Sequence, residues 1–191
     1  ALRDRSDEIA ATAAEQAEAL ENARAEADAG NHPLGVMLFN PHPRQFFAPD
    51  APAFRLTRLP TRARLLAGLG VDFTLALPFD TSMANCTADE FIDRILIGAL
   101  NISGVSIGHD FHFGKGRQGT PDMLQQRGAA AGFDVFITSA VVQADGQTPY
   151  SSSAIRALLR DAKVREARVL LPHVAQDLRH VAHIAARHVH H

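Results

Sequence analysis

Leu34-Gly35-Val36-Met37-Leu38-Phe39 runs for six residues without a polar side chain and is stopped by Asn40-Pro41-His42-Pro43. An apolar run too short for a buried helix and closed by prolines reads as a strand buried on both faces. Such a strand requires a mainly parallel sheet covered by helices on both sides. The remainder of the chain supplies the partners. Residues 73–77 form a second apolar run, stopped by Pro78. Residues 105–107 form a third, and 133–142 contain a fourth. Helical patterns lie between them. Residues 61–69 are amphipathic and end at Gly70. Thr87-Ala88-Asp89-Glu90 is a capping box that opens a helix with Phe91, Ile92, Ile95, Leu96 and Leu100 on its buried side. Residues 121–131 follow Thr120 as N-cap, with Pro121 at the first helical position and Gly132 as the stop. Residues 151–159 and 164–171 read as the last helices. The alternation predicts an α/β chain with four strands in one parallel sheet. Ligands of such sheets collect at the carboxyl ends of the strands. The loops expected there are 40–44, 108–119 and the segment before Ser151.

Both ends differ in character from this middle. Residues 1–29 are rich in Ala, Glu and Arg and read as one long, largely exposed helix ended by Gly30, with only Ile9, Ala13, Ala17 and Leu20 as a thin apolar face. The chain closes in a His-rich tract that includes His180, His183, His188, His190 and His191. A terminal tract of that kind is ordinarily frayed, and its histidines read as adventitious ligands at most, so no metal site is assigned. The division expected is a helical N-terminus over 1–33, a domain over 34–171 and a His-rich tail over 172–191.

Composition removes several function classes. Of 191 residues, 46% are hydrophobic and 21% charged, which suits an ordinary globular domain. A net charge of -2 gives no bulk attraction to nucleic acid. The single cysteine, Cys86, forms no internal disulfide, so a reducing cytoplasm is the expected compartment. No apolar run approaches the ~20 residues of a membrane helix.

Three segments carry chemistry. Gly108-His109-Asp110-Phe111-His112-Phe113-Gly114-Lys115-Gly116-Arg117-Gln118-Gly119 leaves a strand and enters a helix N-terminus. Free N–H groups and the helix dipole favour an anion there, and Lys115 and Arg117 add positive charge. Phe111 and Phe113 alternate with polar residues and are placed to wall an apolar slot for a planar, phosphate-bearing ligand. Pro41-His42-Pro43-Arg44 follows the first strand and, taken alone, is a rigid turn. Ser151-Ser152-Ser153-Ala154-Ile155-Arg156 places hydroxyls at a helix start, with a guanidinium one turn in that can fork onto the same anion.

Together, in this order, these segments resemble the adenylyltransferase domain of the bacterial bifunctional riboflavin kinase/FMN adenylyltransferase family, the FAD synthetases. The Gly-x-Asp-Phe-x-Phe-Gly of residues 108–114 is similar to the family's flavin loop. Residues 38–50 resemble its strand, Pro-His-Pro turn and following loop, with Asn40 where an acidic residue is common. Residues 151–156 resemble its Ser-Ser-Thr-x-x-Arg segment, with Ser153 in place of Thr. The resemblance covers about residues 34–171 and implies a Rossmann-like nucleotidylyltransferase fold. It implies transfer of AMP from ATP to FMN, giving FAD and pyrophosphate, with Mg²⁺. It places Asp110, Phe111 and Phe113 around the flavin and His42, Arg44, Ser152, Ser153 and Arg156 on ATP. The substrates are small molecules, and no riboflavin kinase domain follows in this chain.

One departure bears on the chemistry. The family carries Gly-x-Phe-Asp-Gly-x-His-x-Gly-His on its first, mid-sheet strand and the helix after it. Residues 1–33 hold no match. Ser106-Ile107-Gly108-His109 approaches the His-x-Gly-His pattern but belongs to a late strand. The chain therefore reads as diverged at its start, or as a piece or frameshifted form of a longer one, with impaired turnover. Two other readings stay open: a non-catalytic flavin- or nucleotide-binding remnant, and a nucleotidylyltransferase acting on another phosphate ester.

Overall fold

The computed structural model describes residues 21, 23–51, 57–138, 157, 158, 160–165 and 182–186. The apolar run forms strand β1, Leu34–Asn40. Its side chains alternate between two cores, as period-2 geometry requires. Leu34, Val36 and Leu38 join Ala23 and Ala27 of helix α1 (23–29) and Leu66 of helix α3 (Leu59–Gly68) on one face. Met37 joins the larger core on the other face, with Phe39 packed against it. Strand β2, Phe73–Pro78, pairs parallel to β1 with Met37 opposite Leu75. Gly35 lies under the Phe73 ring, where a Cβ would come within 2.2 Å of Cζ. A larger residue there would push the two strands' side chains apart.

Strands β3 (Ile102–Gly108) and β4 (Asp134–Thr138) form a second parallel pair. The four strands share one direction, as their alternation with helices implies. The sheet order, however, is β2-β1-β5-β3-β4. Strand β5, Ala182–Ala186, runs antiparallel to both β1 and β3. The sheet is therefore mixed, with mostly parallel strands: the four expected strands run parallel, and β5 is an antiparallel addition that the alternation does not foresee. Residues outside the expected 34–171 span also pack into this fold. Ala23 and Ala27 belong to the core, and Ile184 and Ala186 have no exposed surface. The cause is backbone accounting. Two parallel pairs placed side by side face each other with rows of N–H and C=O groups, and buried groups of that kind must be paired. A short, mostly alanine strand fits between them.

The larger core is roofed by two helical segments. Thr87 and Glu90 form the expected capping box over helix α5, Ala88–Glu90, which continues as a π-helix over Phe91–Ala99. Phe91, Ile92 and Leu96 are buried, and Leu100 N–H donates back five residues to the Ile95 carbonyl. Helix α6, Pro121–Ala131, begins with the Thr120 hydroxyl on Met123 N–H and ends at Gly132 with φ +78. Arg127 of α6 pairs with Asp89 and Asp93, fastening it to the neighbouring segment.

On the other face α1 is tied down by charge. Arg24 pairs with Asp72 at 2.5 Å and donates to the His32 carbonyl. Asp72 also accepts from Leu34 N–H at 2.7 Å. The Arg24 hydrogen bond holds the Asp72 carboxyl below the usual carboxylate range. The unfolded carboxyl titrates near ~3.9. The pair therefore stabilises the fold above that value, and the contribution is lost as pH falls through the lower folded value. Asp72 is 47% exposed, so screening limits the effect to about 1 kcal/mol or less. Asp72→Asn keeps an acceptor for Leu34 N–H but removes the charge. It is expected to lower the melting temperature at pH 7 by up to about 4 °C. Melting curves taken from pH 7 down to pH ~2 should converge with the unmodified protein at the acid end.

Candidate functional site at the carboxyl ends of the strands

Because β1 and β3 point the same way, their following loops leave the same edge of the sheet. After β3, Phe111 N–H donates to the Gly108 carbonyl, and His109 N–H to the Thr138 carbonyl at the end of β4. Phe113 and Gly119 exchange backbone hydrogen bonds at 3.2 and 2.9 Å, closing residues 113–119 into a compact loop. Lys115 N–H donates to the Cys86 carbonyl at 2.7 Å. Gly114, at φ +73, sits so close to α5 that a Cβ would lie 2.6 Å from the Ala88 backbone nitrogen. The loop is thus fastened to the start of α5. Asp110, His112, Lys115 and Arg117 are exposed on it.

Two sequence-level expectations change in detail. Phe113 is a core residue, 5% exposed, in contact with Phe91 at 5.5 Å and stacked on Phe111 at 5.8 Å. Phe111 is the half-buried ring of the pair. The start of α6 is also less of an anion cradle than its sequence implies. Pro121 has no N–H, and Thr120 takes that of Met123 with its own hydroxyl.

After β1, residues 43–47 are helical, where the sequence reads as a rigid turn and loop. Helix α2, Pro43–Phe47, has His42 as N-cap, and its Nδ1 accepts from Arg44 N–H at 3.1 Å. An accepting Nδ1 puts the proton of the neutral ring on Nε2. Arg44 is exposed on this helix. The two loops are joined by phenylalanines. Phe47, Phe46, Phe79, Phe39, Phe91, Phe113 and Phe111 form a continuous series of ring contacts, with centroids 5.2 to 6.3 Å apart. At one end Phe47 is 68% exposed. Sequence reading passed over Phe47 and Phe79. The Phe46-Phe47 pair after Pro-His-Pro was the signal available.

Ser152, Ser153 and Arg156 lie outside the described residues. Helical backbone at 157 and 158 falls in the stretch that reads as their helix, and 160 just beyond it. A cavity of about 370 Å³ opens beside Gly30, His32, Ser103, Gly104 and Asp134. These residues flank the amino ends of β1, β3 and β4, the opposite edge of the sheet from both loops.

A family model described as FAD synthetase matches residues 17–154. The chain belongs to the FAD synthetase family. A bifunctional riboflavin kinase/FMN adenylyltransferase of Escherichia coli K12 is 42% identical over 143 residues, covering 75% of this chain and 45% of that protein. A protein of the same description from Pseudomonas fluorescens is 39% identical over 126 residues, covering 66% and 40%. A FAD synthetase of Listeria monocytogenes is 34% identical over 145 residues, covering 75% and 57%. This family member thus spans less than half the length of the first two relatives. Among solved structures, one described as a macrolide-efflux protein from Streptococcus pneumoniae superposes with a TM-score of 0.66 at 26% identity, over 81% of this chain and 49% of that one. The Rossmann-like nucleotidyltransferase architecture follows. Among the described residues, no helix is long and apolar enough to cross a membrane.

Proposed function

We propose that this FAD synthetase family member is an FMN adenylyltransferase domain working in the cytoplasm on small-molecule substrates. One observation supports the reading beyond family membership. The Gly108 loop and the His42 helix, far apart in sequence, meet at one edge of the sheet through a shared run of rings. In the proposed reaction a phosphate oxygen of FMN attacks the α-phosphorus of ATP. The bond from that phosphorus to the oxygen bridging the β-phosphate breaks, leaving FAD and pyrophosphate. No side-chain nucleophile takes part, so the protein's work is positioning and charge stabilisation.

Asp110 and Phe111 border the isoalloxazine in this reading, with Phe113 supporting Phe111 from the core and Phe47 offering a second ring. His42, Arg44, Ser152, Ser153 and Arg156 take ATP, the serines and Arg156 on its phosphates. Among the described residues no group of three or more His, Cys, Asp or Glu side chains is placed to hold a metal. Mg²⁺ is proposed to arrive on the ATP phosphates, which is its usual mode in nucleotide sites.

Calorimetric titration tests the binding half. FMN is expected to bind the unmodified protein and to bind Phe47→Ala about tenfold more weakly, the loss of one aromatic contact and its buried area. Equal affinity for the two proteins would place the flavin elsewhere. Chromatographic assay of FAD from FMN and Mg-ATP tests the chemistry. Binding without turnover would indicate a flavin-binding remnant, and turnover with a non-flavin phosphate ester a different transferase.

A further inference from the structure

We infer that Phe79 is a positioning residue for the flavin side of the site, acting through Phe47. The inference rests on the proposal that Phe47 borders bound FMN. Helix α2 has five residues and none of them is buried. A helix that short has no stability of its own, and its place is set by what it touches. Phe79, just beyond the end of β2, touches it twice. Its ring meets Phe46 at 5.4 Å and 76° and Phe47 at 5.9 Å and 73°. The same ring meets Phe39 of β1 at 5.4 Å and 80°. Its N–H donates to the Asn40 carbonyl at 3.2 Å. All three ring contacts are edge-to-face, an arrangement that fixes orientation as well as distance because the positive edge of one ring seeks the negative face of another. Phe79 therefore joins the rigid strands to the exposed ring. Phe46 and Phe47 also meet each other at 84°, so a shift at Phe79 turns both.

The consequence is specific to binding. Leucine at position 79 keeps most of the apolar volume, and such swaps usually preserve a fold, but it has no ring edge or face with which to orient Phe47. Tyrosine keeps the ring. Calorimetry of FMN against the unmodified protein, Phe79→Tyr, Phe79→Leu, Phe47→Ala and the double variant Phe47→Ala/Phe79→Leu separates the possibilities. Phe79→Tyr should bind within about twofold of the unmodified protein, and Phe79→Leu about tenfold more weakly, like Phe47→Ala. The double variant should be no more than about twofold weaker than either single, because residues acting through one contact are not additive. A purely structural role for Phe79 gives the product of the two single effects, on the order of a hundredfold, and overturns the inference. So does a Phe79→Leu protein with unchanged affinity. If Phe79→Leu loses its cooperative melt, Phe79→Met makes the same comparison with a more adaptable side chain. An unmodified protein that binds no FMN refutes the proposed function first, and this inference with it.

Discussion

Gly114→Ala is expected to abolish measurable FMN binding and to lower the melting temperature by roughly 5–15 °C, at about 2–4 °C per kcal/mol for a domain of this size. Two costs combine. The residue sits at φ +73 and ψ 174, a region essentially reserved for glycine, where an L side chain costs roughly 1–3 kcal/mol. Its Cβ would also fall 2.6 Å from the Ala88 nitrogen and 2.8 Å from the Ala88 Cα. Those are backbone atoms of a helix start already fixed by the Thr87–Glu90 capping box. They yield less readily than a side chain, and overpacking of this kind costs roughly 1–3 kcal/mol more. The protein can escape only by lifting residues 113–119 away from α5, which breaks the 2.7 Å hydrogen bond from Lys115 N–H to Cys86 and moves the loop assigned to the flavin. Gly116→Ala is the control. Gly116 has φ +64, but the nearest atom to its Cβ position is Gln118 Cγ at 3.9 Å, so only the conformational cost of roughly 1–2 kcal/mol remains. Thermal melts and FMN calorimetry on both variants give the comparison. Equal destabilisation would mean that the approach to Ala88 is not a close one in solution.

What the sequence made legible was whatever its local chemistry determines. Thr120, Pro121 and Gly132 bound α6 at both ends because a hydroxyl cap, a missing N–H and a left-handed glycine each act within one turn. The Thr87–Glu90 box was equally plain. The β1 run could be read because an apolar residue at every position has few other uses. Three features were not legible, each for a nonlocal reason. Strand β5 is five residues with three alanines among histidines, and its burial comes from the gap between β1 and β3. The π-helical turn spacing over Phe91–Ala99 places Phe91, Ile92 and Leu96 inward much as an α-helix would. Helix α2 was missed because histidine is not among the usual N-caps, although Pro43 in its first turn agrees with a helix start. The candidate site divides the same way. The Gly108 loop declares itself in residue order, whereas the ring series through Phe79 depends on the register in which β1 and β2 pair.

The 191-residue chain is expected to form FAD at least ~10³-fold more slowly than the Escherichia coli relative, even where both ligands bind. Donors aimed at charge that develops in the transition state supply ~10²–10³ in rate each, and residues 1–33 contain no His-x-Gly-His to provide them. The nearest substitute is Ser106-Ile107-Gly108-His109. Ser106 is 4% exposed in the strand, which leaves His109 as the one imidazole of that group at the loop edge. His109 is exposed, and its backbone N–H is tied to the Thr138 carbonyl. His42 already spends Nδ1 on Arg44 N–H as a helix cap, which fixes the ring to α2 rather than to a phosphate. The remaining groups, Arg44, Ser152, Ser153 and Arg156, are proposed to grip the ATP tail. Grip that is equal in ground and transition states lowers KM without raising kcat. The expected signature is therefore a near-normal KM for ATP with a collapsed kcat, measured chromatographically as FAD formed from FMN and Mg-ATP by the two proteins side by side. A kcat within about tenfold of the relative, ~1.4 kcal/mol in barrier, would move the transition-state work onto His109 and His42. His109→Ala and His42→Ala would then each be expected to lose it.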